Sequence, residues 1–104
     1  MEKKILSAVI NIATAADHTI ITAVTGRKIN ITSFLFTAGG EVNVTLKDGA
    51  AALTGAMDFG GTSEPRGIVA SLDDKALGLT VSSAFVITLS AAIQVSGLVC
   101  YYIE

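Results

Sequence analysis

Residues Asp17 to Gly49 read DHTIITAVTGRKINITSFLFTAGGEVNVTLKDG, and this stretch decides the fold class. It divides into three strand-like runs, Thr19–Val24, Ile29–Thr37 and Glu41–Lys47. Thr25-Gly26-Arg27-Lys28 and Ala38-Gly39-Gly40 separate them, and Asp48-Gly49 closes the last. Apolar, β-branched runs parted by Gly-bearing turns are a hairpin signal. In Glu41–Lys47 alternation is strict: Val42, Val44 and Leu46 point one way, Glu41, Asn43, Thr45 and Lys47 the other. That is a half-buried antiparallel strand with one wet face. In Ile29–Thr37 both faces carry apolar residues, Ile29, Ile31 and Leu35 on one, Phe34 and Phe36 on the other. The spacing therefore predicts cover on both faces, from a second sheet or from another subunit.

Outward from this block the pattern continues. Lys3–Ala13 is rich in β-branched residues without strict alternation, which suggests a kinked or bulged strand. After a weak segment at Ala50–Phe59 comes Gly60–Gly67, with Gly60-Gly61 and the lone Pro65, which reads as an exposed loop. Ile68–Leu72, Leu79–Val81, Phe85–Ser90 and Gln94–Ile103 are the remaining strand runs. Seven to nine short strands, turns every 8–12 residues or so and no internal repeat predict an all-β antiparallel sandwich. The length of 104 residues makes it a single domain, 1–104. Val42, Val44, Leu46, Phe85, Ile87 and Leu89 are its expected core.

Charged residues make up only 15% of the chain and hydrophobic residues 51%, against about 25% charged in an average soluble domain. A small domain has much surface to cover, so few charges imply surface buried against other chains. A net charge of −2 argues against a nucleic-acid binder. No apolar run approaches the roughly 18 residues of a membrane span. The segment before Asp17 mimics a secretory signal, but Asn11 and Thr14 interrupt it, so we read it as a strand. A single cysteine, Cys100, allows no internal disulfide and suits a reducing compartment.

Candidates for chemistry are few. His18 beside Asp17 suggests an acid–base pair, but adjacent residues of an extended chain point to opposite faces; a turn role for Asp17 and a solvated His18 fit better. Asp73-Asp74 with Asp58 or Glu64 could ligate a hard cation, yet two acids in a polar turn are commonly just solvated. Cys100, mid-strand, reads as an inert buried thiol. Gly39-Gly40 and Gly60-Gly61 lack a phosphate-loop pattern. The chain thus reads as non-enzymatic, with no catalytic, cofactor or metal residues. Phe34, Phe36, Tyr101 and Tyr102 are the candidate residues of an oligomer interface.

The order of signals resembles a family of small tailed-phage virion structural proteins. The residues that carry it are Ala16–Ile21, Ala23–Ile29, Ala38-Gly39-Gly40 with Val42–Lys47, Leu53–Met57, and Leu89–Gly97 before Tyr101. The chain departs at Leu98-Val99-Cys100, where a polar residue is expected, and at a longer Leu72–Gly78 stretch. The resemblance implies a jelly-roll-like sandwich and a head decoration or head-fibre role. It also implies self-association, a homotrimer first, contacts with other virion proteins, and assembly in the cytoplasm of a bacterial host. The alternative is a carbohydrate- or receptor-binding module of a phage tail or fibre. The absence of Trp and an aromatic content of 6% favour the structural reading.

Overall fold

A computed structural model describes residues 4–60, 64–72 and 77–104. The described residues form ten antiparallel strands in two sheets and contain no helix. In chain order they are β1 (Leu6–Ile12), β2 (Asp17–Ile21), β3 (Ile29–Ala38), β4 (Val42–Asp48), β5 (Ala51–Ala52), β6 (Met57–Phe59), β7 (Arg66–Ser71), β8 (Leu77–Gly78), β9 (Phe85–Leu89) and β10 (Val95–Ile103). The first sheet runs β1-β10-β3-β7, with β8 also on β3. The second runs β2-β9-β4-β5, with β6 also on β4. β5 and β6 share one broken edge position, and β7 and β8 share another. Counted so, the strand order is that of an eight-position jelly roll.

The all-β sandwich expected from the sequence is the observed fold, with ten strands because two edges are broken into short pieces. All six expected core residues are buried, from Val44 and Ile87 at 0% exposure to Leu89 at 3%. The hairpins, in contrast, do not form. β2 and β4 belong to the second sheet and β3 to the first, so the Gly26 and Gly39-Gly40 turns carry the chain from one sheet to the other. β3 pairs with β10, β7 and β8, all far along the chain.

The two-sided reading of Ile29–Thr37 is also corrected. Opposite β3, Cys100 faces Ser33 and Tyr101 faces Ile31, so Thr32 is an extra residue. A β-bulge of this kind shifts the alternation by one. Ile29 and Ile31 point inward before it, and Phe34, Phe36 and Ala38 point inward after it. Leu35 is left outside, 40% exposed. The strand has one core face with a phase slip. The second sheet covers Phe36, which is 1% exposed and lies 5.3 Å, ring to ring, from Phe59 of β6.

Other boundaries moved. β1 is regular along its pairing with β10 rather than kinked; the second irregularity falls in β2, between Thr19 and Ile21. Arg66 and Gly67 open β7 instead of ending the loop. Leu79 is buried and bonds Ile29 O through its amide at 2.8 Å, but the short strand precedes it at Leu77–Gly78. Asp73-Asp74 lies outside the described residues.

One end of the sandwich is laced by backbone and side-chain bonds. Asp48 Oδ2 accepts from the Thr80 amide at 2.9 Å and its hydroxyl at 2.8 Å. Gly49, at φ +63°, donates to Ala84 O at 2.8 Å, and a Cβ there would lie 2.8 Å from Ser83 Oγ. The Gly26 amide donates to Ser82 Oγ at 2.7 Å, and the Glu104 amide to Lys28 O at 2.8 Å.

Candidate functional site

The outward positions of the two sheets differ sharply in chemistry. On the first sheet, strict alternation in β10 sends Val95, Gly97 and Val99 inward and Ser96, Leu98 and Cys100 outward. Register then aligns these with their neighbours on every strand. Val9, Leu98, Leu35 and Val69 form a single cross-strand row. Their exposures are 76%, 38%, 40% and 78%. On one side lies the row Asn11, Ser96, Thr37, Gly67; on the other lies Ser7, Cys100, Ser33, Ser71. None of these twelve positions carries a charge.

On the second sheet the matching rows are Asp17, Thr88, Thr45 and then Thr19, Val86, Lys47, Ala52. Asn43 and Asp58 stand beyond them. Asp17 accepts from the Thr88 hydroxyl at 2.6 Å and pairs with Lys47 Nζ at 3.4 Å. The Thr88 hydroxyl, then the Lys47 charge, hold the Asp17 carboxyl below its ordinary value of 3.8. At Asp48, partial burial pushes the carboxyl up. The hydroxyls of Ser83 and Thr80 and the Thr80 amide outweigh it, so this group too lies below 3.8.

The expected interface residues separate. Phe34 and Tyr101 pack against the core, with the Phe34 and Phe36 rings stacked 6.0 Å apart. Phe36 is core outright. Tyr102, opposite Asn30, is the one of the four on the outward side of β10. This chain's own second sheet covers Phe36, through Phe59, while Phe34 is half-buried against the core. The residues that do form an outward apolar surface, Val9, Leu35, Leu98 and Val69, were missed. Each is a single apolar residue among polar ones on its own strand; only register joins them.

His18 is half-buried rather than solvated, facing inward across from Ile87. Its Nε2 lies 2.8 Å from Thr14 O and 3.2 Å from Thr14 Oγ1. As expected of neighbours in a strand, Asp17 and His18 occupy opposite faces and make no acid–base pair. Cys100 is half-buried on the outward face instead of sealed in the core. Among the described residues, no three His, Cys, Asp or Glu side chains are grouped to hold a metal ion. No helix of the described residues is long and apolar enough to cross a membrane. A cleft of about 160 Å³ lies between β3 and β7, lined by Leu35, Phe36, Thr37, Gly67, Ile68 and Val69. Thr37 is its one polar side chain, few hydrogen-bonding groups for orienting a sugar.

No family model matches the chain, and no curated protein matches it. Among solved structures, one described as "Bacillus endospore appendages form a novel family of disulfide-linked pili" aligns over 99% of this chain and 88% of that one. The identity is 18% and the TM-score 0.39, a likeness too loose to carry any role across.

Proposed function

We propose that this chain is a non-enzymatic structural subunit that works by surface packing, and that its setting is a phage virion, as a head decoration or head-fibre protein. The observation that supports this most is the patch of twelve neutral outward positions on the first sheet, crossed by the row Val9, Leu98, Leu35, Val69. An exposed apolar row in a field of Ser, Thr and Asn is the composition of a surface that is covered in its working state. The jelly-roll strand order is a scaffold that viral shells use widely, and lectins also. The apolar lining of the β3–β7 cleft supports packing over sugar recognition.

The test is peptide mass spectrometry on particles induced from the bacterium that encodes the chain and banded on a density gradient. Peptides of the chain should band with the major capsid protein and remain after a high-salt wash. A chain found only in the soluble lysate, with full particles banding without it, overturns the virion reading.

A further inference from the structure

We propose that Asp48-Gly49 is a latent site of isoaspartate formation, closed in the folded chain by Thr80 and Ala84 and opened when that end of the sandwich loosens. The reaction needs no co-reactant but water. The Gly49 nitrogen attacks Asp48 Cγ, a C–N bond forms and a C–O bond breaks, and the carboxyl hydroxyl leaves as water with the nitrogen's proton. Water then opens the five-membered imide. Cleavage at Cγ restores aspartate. Cleavage at the main-chain carbonyl carbon leaves the backbone running through Cβ and Cγ, one carbon longer.

The dipeptide stands alone in the chain. Glycine puts no side chain in the way of the attack, and of the five aspartates only Asp48 is followed by one. The three asparagines precede Ile12, Ile31 and Val44, branched residues that crowd the nitrogen. The fold itself demands the reactive pair. Asp48 ends β4 opposite Ala51 of β5, so Gly49 and Ala50 form a two-residue loop. Positive φ at the first loop position, +63°, is the type II′ pattern, which takes glycine there. A Cβ at that position would also lie 2.8 Å from Ser83 Oγ. Asp48 in turn supplies the carboxylate that accepts from the Thr80 amide and hydroxyl. Exchanging either residue for a less reactive one loosens this end of the sandwich.

The same contacts hold the reaction back. The Gly49 nitrogen, the nucleophile, has its proton committed to Ala84 O at 2.8 Å, beside the Asp48–Phe85 pair of the β4–β9 ladder. At the carboxyl, Oδ2 is held by Thr80 at 2.9 Å and 2.8 Å, and Oδ1 is buried away from the solvent that would deliver a proton. Burial pushes this carboxyl up, but the Ser83 and Thr80 hydroxyls and the Thr80 amide hold it below its ordinary value, so at neutral pH the hydroxyl that must leave is scarce. Attack therefore waits for a local opening that frees both Thr80 and Ala84, and its rate scales with the fraction of time the turn is open. Isoaspartate then carries its carboxylate on the former main-chain carbonyl carbon, so Thr80 loses its acceptor and the end does not relace.

The experiment incubates the purified chain in warm neutral buffer for several weeks and measures isoaspartate at position 48 by peptide mapping and by labelling with an isoaspartyl methyltransferase. The free peptide Val44–Leu53 is the unlocked reference. The peptide should convert steadily, and the folded wild type at least about tenfold more slowly. Wild type in urea beyond its unfolding midpoint should convert at the peptide's rate. Thr80→Val, which removes the hydroxyl and keeps the amide, should speed conversion of the folded chain about threefold or more. Should that variant disturb folding, wild type in urea below its midpoint serves instead: conversion should rise in step with hydrogen exchange of the Gly49 amide. Folded wild type that converts as fast as the peptide overturns the proposal. So does unfolded wild type without isoaspartate at position 48, a folded Thr80→Val that keeps the wild-type rate, or conversion that does not follow exchange of the Gly49 amide.

Discussion

The two sheets bury the same kind of side chain and show the solvent different ones. Inward, Ile10, Ile29, Ile31, Phe36, Val95 and Val99 of the first sheet meet Val42, Val44, Leu46, Phe85, Ile87 and Leu89 of the second. Outward, the second sheet has an Asp17–Lys47 ion pair and a Thr88 hydroxyl bonded to Asp17. The first has twelve neutral positions crossed by four apolar side chains. Core packing constrains only the inward half of each strand. The outward half is free to vary, and here one sheet carries an ion pair and hydroxyls while the other carries neutral and apolar side chains.

The sharpest way to break this comparison is at neighbouring residues of β3. Phe36→Ala removes a ring that touches both Phe34 and Phe59 and should cost about 3–5 kcal/mol in urea unfolding. Leu35→Ser, one residue away on the outer surface, should change monomer stability by less than about 0.5 kcal/mol. Equal losses at the two positions would mean that the phase shift at Thr32 is misplaced.

Gly97→Ala tests how closely β10 and β3 approach beneath that outer surface. A Cβ at Gly97 would run into Leu35 O and lie 2.6 Å from Phe36 Cα, both backbone atoms that cannot swing aside. The expected loss is about 3 kcal/mol, the upper end for overpacking. A variant with wild-type Tm would show that the central pair has room to open.

Smaller effects belong to the carboxylates of the second sheet. Asp48→Ala removes the acceptor that holds Thr80 and should cost about 1–2 kcal/mol. Because the folded pKa of Asp48 is depressed, its stabilisation is complete above the unfolded value near 3.8 and is lost as pH falls through the folded value. Asp48→Asn should therefore flatten the acid limb of the stability profile below about pH 4. An unchanged acid limb would remove Asp48 from the pH dependence. Least of all, Thr88→Val should let the Asp17 carboxyl rise toward its ordinary 3.8, seen in an NMR titration, with only a slight loss of stability at neutral pH because the pair is exposed.

The all-β class and the core of the second sheet were legible because strand alternation is local. Val42, Val44 and Leu46, or Phe85, Ile87 and Leu89, declare their inward face within five residues. The turns were legible too, since Gly26 and Gly49 adopt positive φ where the chain bends. Their role was not: a Gly-bearing turn looks the same whether it closes a hairpin or carries the chain to the opposite sheet.

Sequence alone determined that this chain would build a sandwich of short strands, and which alternation would fill much of its core. The tertiary structure decided which strands are neighbours, and with them the outward surface. Val9, Leu35, Val69 and Leu98 come from four separated strands and meet only because β1, β10, β3 and β7 pair in that order and register. It also decided that Phe36 belongs to the core and that Phe34 packs against it, through one extra residue at Thr32. The period of a strand fixes which side chains share its face. Which face looks inward, and what lies beside it, depends on pairings between distant segments that no local pattern encodes.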